Sequence, residues 1–162
     1  PGIMEAANRG AKDVGGRSVG CNIQLPKEQG VNPYCDKWVE IKHFFVRKVI
    51  IIKYSFSFVV MPGGFGTLDE YFEAITLIQT KKIRNFPVII FCKEFHQKLI
   101  EHNQMMKEMG TISDSDMELF LVTDSIEEAV ELIKENSIKR HGLKPEENIR
   151  PFGWLFESRF RF

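Results

Sequence analysis

The 162-residue sequence lacks the characteristic features of three classes of protein: nucleic-acid binders, membrane-spanning proteins and disordered chains. It has no net charge, because 22 lysines and arginines balance 22 aspartates and glutamates, whereas proteins that bind nucleic acid by neutralising phosphates are normally basic. Its longest apolar stretch, from Val49 to Met61, is interrupted by Lys53 and falls short of the ~20 residues that span a membrane. It is not poor in large apolar residues, as disordered chains are, since 43% of its residues are hydrophobic. We therefore expect a folded domain without a nucleic-acid or membrane partner.

Cysteine is scarce, and its spacing is uninformative. Cys21, Cys35 and Cys92 form no CxxC pair, so the sequence predicts reduced thiols and neither a disulfide framework nor a structural zinc site. The four histidines also lack the spacing of metal ligands, and we expect no metal. The chain contains no Asn-x-Ser/Thr glycosylation acceptor and no recognisable signal peptide, so the expected location is the cytoplasm.

Short apolar runs alternate with longer amphipathic segments along the chain. Strands are predicted near residues 19–23, 39–43, 56–61, 87–92 and 119–122, and helices near 3–14, 45–54, 67–80, 95–109 and 125–139. The strands are continuous apolar runs, which is typical of parallel strands covered by helices on both faces. The predicted fold is therefore α/β, a Rossmann-like three-layer sandwich with a mainly parallel sheet. Ligands of such sheets bind beyond the carboxyl ends of the strands.

One turn between a predicted strand and a helix carries the strongest functional signal. Residues 62–67 read PGGFGT, and three glycines in four positions permit positive φ and a close approach of a ligand to the backbone. The helix that follows offers free N–H groups to a phosphate. We expect Thr67 to cap this helix, to form a capping box with Glu70, and to donate its hydroxyl to a phosphate. From the spacing alone, a tight turn in which Glu70 merely caps the helix explains the pattern equally well, since neither a Walker A loop nor a GxGxxG fingerprint is present.

Three motifs resemble those of a known family. Residues 62–70, PGGFGTLDE, reproduce the PGGxGTxxE signature of the LONELY GUY (LOG) proteins, which are often labelled "possible lysine decarboxylase". Residues 1–11, PGIMEAANRGA, are similar to a second family segment, and Arg47-Lys48 to a third. The resemblance implies a LOG-like nucleotide-binding α/β domain at residues 1–140, whose amino-terminal strands are missing from this chain. It leaves residues 141–162 as an aromatic, basic extension.

The resemblance also implies a chemistry. LOG proteins are phosphoribohydrolases, which release a free base and ribose 5-phosphate from nucleoside 5′-monophosphates such as AMP or cytokinin riboside 5′-monophosphates. It therefore implies a hydrolase that needs no cofactor and not a lysine decarboxylase, which would hold pyridoxal phosphate on a lysine. A nucleotide sensor of the same fold, without catalysis, stays open as the alternative. The expected partners are a nucleoside monophosphate and a second copy of the chain in a homodimer.

The site residues follow from the same resemblance. It implies Arg47 and Glu70 as the catalytic pair, because a carboxylate can stabilise positive charge on the ribose and a guanidinium can offset negative charge on the leaving base. The implied substrate-binding residues are Glu28, Lys48, Gly63, Gly64, Gly66, Thr67 and Thr76. A solvated loop charge explains Glu28 equally well, and a packed helix residue explains Thr76, which we expect on the inner side of its helix. Phe45 stands where many members have a histidine, which leaves the accepted base open.

Overall fold

A computed structural model describes residues 2–24, 30, 32–140 and 142 as an α/β fold. The strands are β1 Val19–Ile23, β2 Lys37–Ile41, β3 Phe58–Val60, β4 Val88–Phe91 and β5 Phe120–Thr123. The α-helices are α1 Ile3–Asp13, α2 Phe44–Lys53, α3 Phe65–Gln79, α4 Lys93–Glu108 and α5 Ile126–Lys134. A 3₁₀ helix at Asp114–Glu118 was not predicted, and a π-helical segment at Glu135–Arg140 continues α5.

The described strands pair in parallel and form two groups. β1 pairs with β2, and Val19 lies opposite Lys37. β3, β4 and β5 form a three-stranded sheet in that order, with Val60 opposite Ile90. The predicted α/β class and Rossmann-like three-layer arrangement with parallel strands are confirmed. The single sheet that we expected is divided in two within the described residues.

The core lies against the three-stranded sheet. Residues 88–90 of the central strand are at most 1% exposed, which explains why their sequence is apolar without alternation. Tyr71 and Ala74 of α3 pack into the same core. Phe72 is 39% exposed, and its neighbour Tyr71 is the buried aromatic residue of the pair.

Tyr71 can be buried because its hydroxyl has a buried partner. The side-chain amide of Asn103 on α4 donates a hydrogen bond to the Tyr71 hydroxyl over 2.9 Å, and both residues are at most 2% exposed. Burial raises the pKa of Tyr71 to about 12, despite the opposing effect of this hydrogen bond. The bond therefore joins α3 to α4 through neutral groups in the core.

Tyr71→Phe should lower the free energy of unfolding by about 1–3 kcal/mol, because the Asn103 amide would lose its acceptor while staying buried. Urea denaturation of the variant and the parent measures this loss. Replacing the second partner as well, in Tyr71→Phe/Asn103→Leu, should recover part of the stability, since neither polar group would then remain. A loss below about 0.5 kcal/mol in the single variant would contradict the expectation.

Candidate active site

A cavity of about 460 Å³ lies beside the turn that joins β3 to α3. It is lined by Arg47, Ile51, Ser57, Phe58, Val59, Val60, Gly64, Gly66, Thr67, Glu70 and Tyr71. Four of these residues are consecutive, 57–60, and they include all of β3. The cavity reaches the carboxyl end of β3, where parallel α/β sheets bind ligands.

The turn itself is closed by contact between Gly63 and Thr67. A Cβ atom on Gly63 would lie 2.1 Å from Thr67 Oγ1 and 2.8 Å from Thr67 Cβ, so only glycine fits. At Gly64 and Gly66, by contrast, an added Cβ would meet no atom within 4 Å. Both of these glycines line the cavity, so a ligand can approach the backbone of the turn closely.

The glycines of the turn do not use the positive φ that glycine permits, and the described glycines that do so lie elsewhere in the chain. The predicted start of the helix was wrong. The helix begins at Phe65 and not after Thr67, with extended Gly64 at the N-cap and no side-chain capping bond. Glycine is tolerated at an N-cap, so the turn needs no polar cap. The capping box between Thr67 and Glu70 therefore does not form, and the explanation of Glu70 as a mere capping residue is removed.

Arg47 and Glu70 come together across the helices α2 and α3. Arg47 Nη2 lies 3.3 Å from Glu70 Oε1, and the two side chains are 23% and 17% exposed. Arg47 Nε and Glu70 Oε2 are also buried, and no described residue forms a hydrogen bond with either atom. Nearly all buried polar atoms in proteins have a hydrogen-bond partner. We therefore expect these two atoms to form hydrogen bonds with a ligand or with water. The structure thus brings together the two residues that the resemblance pairs.

The surroundings of Glu70 change its acidity. Burial raises the pKa of its carboxyl group, and the nearby charges of Glu73 and Asp69 act in the same direction. The positive charges of Arg47 and Lys48 oppose this rise without cancelling it. A carboxyl group with a raised pKa exchanges its proton closer to neutral pH, which suits a general acid or base.

Lys48 lies in a different environment from its neighbour Arg47. Its ammonium is 2.7 Å from Asp69 Oδ1 and 2.8 Å from Glu73 Oε2, and these two bonds raise its pKa to about 12. Lys48 does not belong to the lining of the cavity among the described residues. Lys48, which the resemblance implies as a substrate-binding residue, therefore contacts carboxylates between α2 and α3.

A further predicted residue, Thr76, does not line the cavity. Thr76 is exposed, and its hydroxyl donates to the carbonyl of Phe72 over 2.7 Å. Its predicted position on the inner side of α3 was wrong, since Ala74 and Tyr71 occupy that side. Glu28 lies outside the described residues, as does the extension at 141–162 apart from Gly142.

Sequence reasoning missed Cys21 on β1, which lies near the charged pair. Burial raises the pKa of its thiol, and the charges of Arg47 and Glu70 also act on it. Cys21, Cys35 and Cys92 are free thiols, as we expected. No spacing signal points to Cys21, because its proximity to the pair arises from the packing of distant elements.

The described residues contain neither a group of potential metal ligands nor a membrane-spanning helix. Across residues 2–24, 30, 32–140 and 142, no three His, Cys, Asp or Glu side chains are grouped so that they could hold a metal ion. Over the same residues, no helix has the length and apolar character needed to cross a membrane.

Comparison with known proteins establishes the family. The family model described as "Possible lysine decarboxylase" matches residues 4–133, a range that contains the turn, Arg47 and Glu70. The chain belongs to this family. The resemblance to the LOG proteins, inferred from three motifs, is confirmed by this match and by the names of the relatives.

The curated relatives of this LOG-type chain are distant. Cytokinin riboside 5′-monophosphate phosphoribohydrolase LOG1 of Arabidopsis thaliana is 31% identical over 96 residues, which are 59% of the chain and 44% of that protein. LOG3 of the same plant is 31% identical over 90 residues, 55% of the chain and 41% of its own length. An uncharacterised protein of Archaeoglobus fulgidus is 34% identical over 92 residues, 55% of the chain and 58% of its length. The LOG-type chain thus spans about half the length of the relatives that it matches.

Proposed function

We propose that the chain carries the catalytic pair of a hydrolase that cleaves the N-glycosidic bond of nucleoside 5′-monophosphates. The products are a free base and ribose 5-phosphate. The observation that carries the proposal is the pair of Arg47 and Glu70, 3.3 Å apart on the wall of a cavity beside a glycine-rich turn. The names of LOG1 and LOG3 support cytokinin riboside 5′-monophosphates as the substrate class, with AMP as a second candidate.

The turn is the proposed phosphate site. Gly63 and Gly64 lead into α3, whose first N–H groups have no partner within the helix and carry the positive end of its dipole. Gly66 leaves open space above the backbone, and Thr67 adds a hydroxyl from the first turn of α3. A 5′-phosphate bound there would accept hydrogen bonds from the backbone and from Thr67.

A nucleotide whose phosphate is bound at the turn would bring its N-glycosidic bond close to Glu70. Glu70 lies about one turn further along α3 than the phosphate site, which corresponds to the ribose of a bound nucleotide. Its charged form would stabilise the oxocarbenium-like ribose, and Oε2 could orient a ribose hydroxyl or the attacking water. Arg47 would hold Glu70 in place and offset the negative charge that develops on the leaving base.

Neither a lysine decarboxylase nor a simple nucleotide sensor fits the site as well. No lysine is found among the described residues that line the cavity, so the site offers no amine for a pyridoxal phosphate Schiff base. A sensor needs the turn but has no use for a buried carboxylate that does not cap its helix. The location in the cytoplasm, the homodimer and the accepted base stay predictions.

The proposal is tested by mixing the purified protein with AMP or isopentenyladenosine 5′-monophosphate, with adenosine and isopentenyladenosine as matched controls. Chromatography measures the free base and ribose 5-phosphate. We expect release from at least one monophosphate and slower release, by about tenfold or more, from the nucleosides, because phosphate binding energy assists the reaction. Tight nucleotide binding without release would favour the sensor, and the absence of binding would contradict the phosphate site.

A further inference from the structure

Two adjacent cations of α2, Arg47 and Lys48, contact carboxylates of α3. Arg47 pairs with Glu70, whereas Lys48 pairs with Asp69, which precedes Glu70, and with Glu73, which follows it by three residues. The Lys48 side chain is only 19% exposed. Lys48 therefore bonds to α3 on both sides of Glu70 along the sequence.

We propose that Lys48 is a positioning residue: by bridging Asp69 and Glu73, it holds Glu70 opposite Arg47 and offsets the charges of the two neighbouring carboxylates. This assignment rests on the proposed function, in which Glu70 and Arg47 do the chemistry. It differs from the substrate-binding role that the family resemblance implies for Lys48.

The geometry does not favour Lys48 as a phosphate ligand. Its ammonium already lies within 2.8 Å of two carboxylate oxygens, and a phosphate would have to displace at least one of them. Displacement would leave Asp69 or Glu73 uncompensated beside a second anion, which is electrostatically unfavourable. Lys48 is also separate from the cavity lining, to which Arg47 belongs.

The charges around Glu70 make the role of Lys48 measurable. Arg47 and Lys48 from α2 lower the pKa of Glu70, and Asp69 and Glu73 from α3 raise it. Cys21, from β1, is a further titratable group near the pair. Removing the Lys48 charge takes away one cation and leaves two carboxylates uncompensated. The pKa of Glu70 should therefore rise.

The test compares Lys48→Met with Lys48→Arg and with Lys53→Met. Lys53 is an exposed residue at the end of α2 whose ammonium lies over the Tyr54 ring, so Lys53→Met makes the same change on the same helix away from the ion pairs. We expect Lys48→Met to lower kcat by about 10- to 100-fold, because small misplacements of catalytic groups are costly, while KM changes by less than about threefold. Its pH profile should shift to higher pH. Lys48→Arg should restore most of kcat and the parental profile, and Lys53→Met should resemble the parent.

A second readout does not depend on turnover. Titration of the Glu70 carboxyl carbon by NMR, in the ligand-free protein, should give a higher pKa in Lys48→Met. Asp69→Asn/Glu73→Gln should shift it in the opposite direction, because two anions are removed. The Asp69→Asn/Glu73→Gln variant also tests the inference if the Lys48→Met protein fails to fold.

The two readouts separate the failure of this inference from the failure of the proposed function. If no base is released but the pKa of Glu70 shifts in opposite directions in Lys48→Met and Asp69→Asn/Glu73→Gln, the proposed function is contradicted. The positioning role of Lys48 is then retained. A Lys48→Met protein with a raised KM, unchanged kcat and an unchanged Glu70 titration would make Lys48 a substrate ligand and overturn the inference.

Discussion

Glu70→Gln is expected to slow the release of base by about 10²- to 10⁴-fold, the range that loss of a positioned acid or base typically causes. Glutamine keeps the size of the side chain and can still accept a hydrogen bond from Arg47, which lies 3.3 Å from the carboxylate. It can neither carry the negative charge that stabilises the ribose cation nor exchange a proton at neutral pH. Because the phosphate site is formed by the turn and Thr67, nucleotide affinity should change little.

Single-turnover release of base and calorimetric nucleotide binding measure these two effects separately. Glu101→Gln is a suitable control, because Glu101 makes a surface ion pair with Lys98 on α4, away from the cavity. The control should match the parent in both measurements. Equal release by the parent and Glu70→Gln would show that the carboxylate is not catalytic, and our mechanism would be wrong.

Gly63→Ala should damage both stability and turnover. The added methyl group would lie 2.1 Å from Thr67 Oγ1 and 2.8 Å from Thr67 Cβ. Rotating the Thr67 side chain moves Oγ1 but leaves Cβ in place, so the turn or the start of α3 must shift. Overpacking of this kind typically costs about 1–3 kcal/mol of unfolding free energy. Displacement of the phosphate site by even ~1 Å could slow turnover by about 100-fold.

Gly66→Ala is the matched control for steric conflict, because the same methyl group would meet no atom within 4 Å. Gly66 lies in the first turn of α3, where alanine is a better helix former, so stability should be equal or slightly higher. Denaturation curves of the two variants give this comparison, whereas base release is compared between Gly63→Ala and the parent, because Gly66 belongs to the proposed phosphate site. A Gly63→Ala protein as stable as Gly66→Ala would contradict the close contact with Thr67.

Local patterns of sequence predicted most of the fold because several elements are determined locally. The apolar run 87–92 contains β4, and a glycine pair follows the end of α1, with Gly15 at a φ of +75°. Ser125 caps α5 by accepting a hydrogen bond from the Glu128 N–H group over 3.1 Å. Each of these features involves residues within a few positions of one another, so the sequence alone contains the necessary information.

Several omissions concern contacts between distant elements. The carboxylate of Asp124, next to the Ser125 cap of α5, accepts a hydrogen bond from Lys93 N–H, at the start of α4. Lys48 and its partners on α3 are about 20 residues apart, and no periodicity reveals which carboxylate each cation meets. The site pair was available only because a family resemblance supplied it. The structure adds its distance, its burial and its neighbours.

The helices α2 and α3 are joined by ion pairs of unequal exposure, and this makes the site sensitive to ionic strength. Asp69 is 53% exposed in its pair with Lys48, whereas Glu70 is 17% exposed in its pair with Arg47. The screening length falls from about 8 Å at physiological salt to about 3 Å at 1 M, and dissolved ions reach exposed pairs more easily than buried ones. Added salt should therefore weaken the outer contact first and leave the inner pair intact. The two helices could loosen at one side of Glu70 while Arg47 still held it.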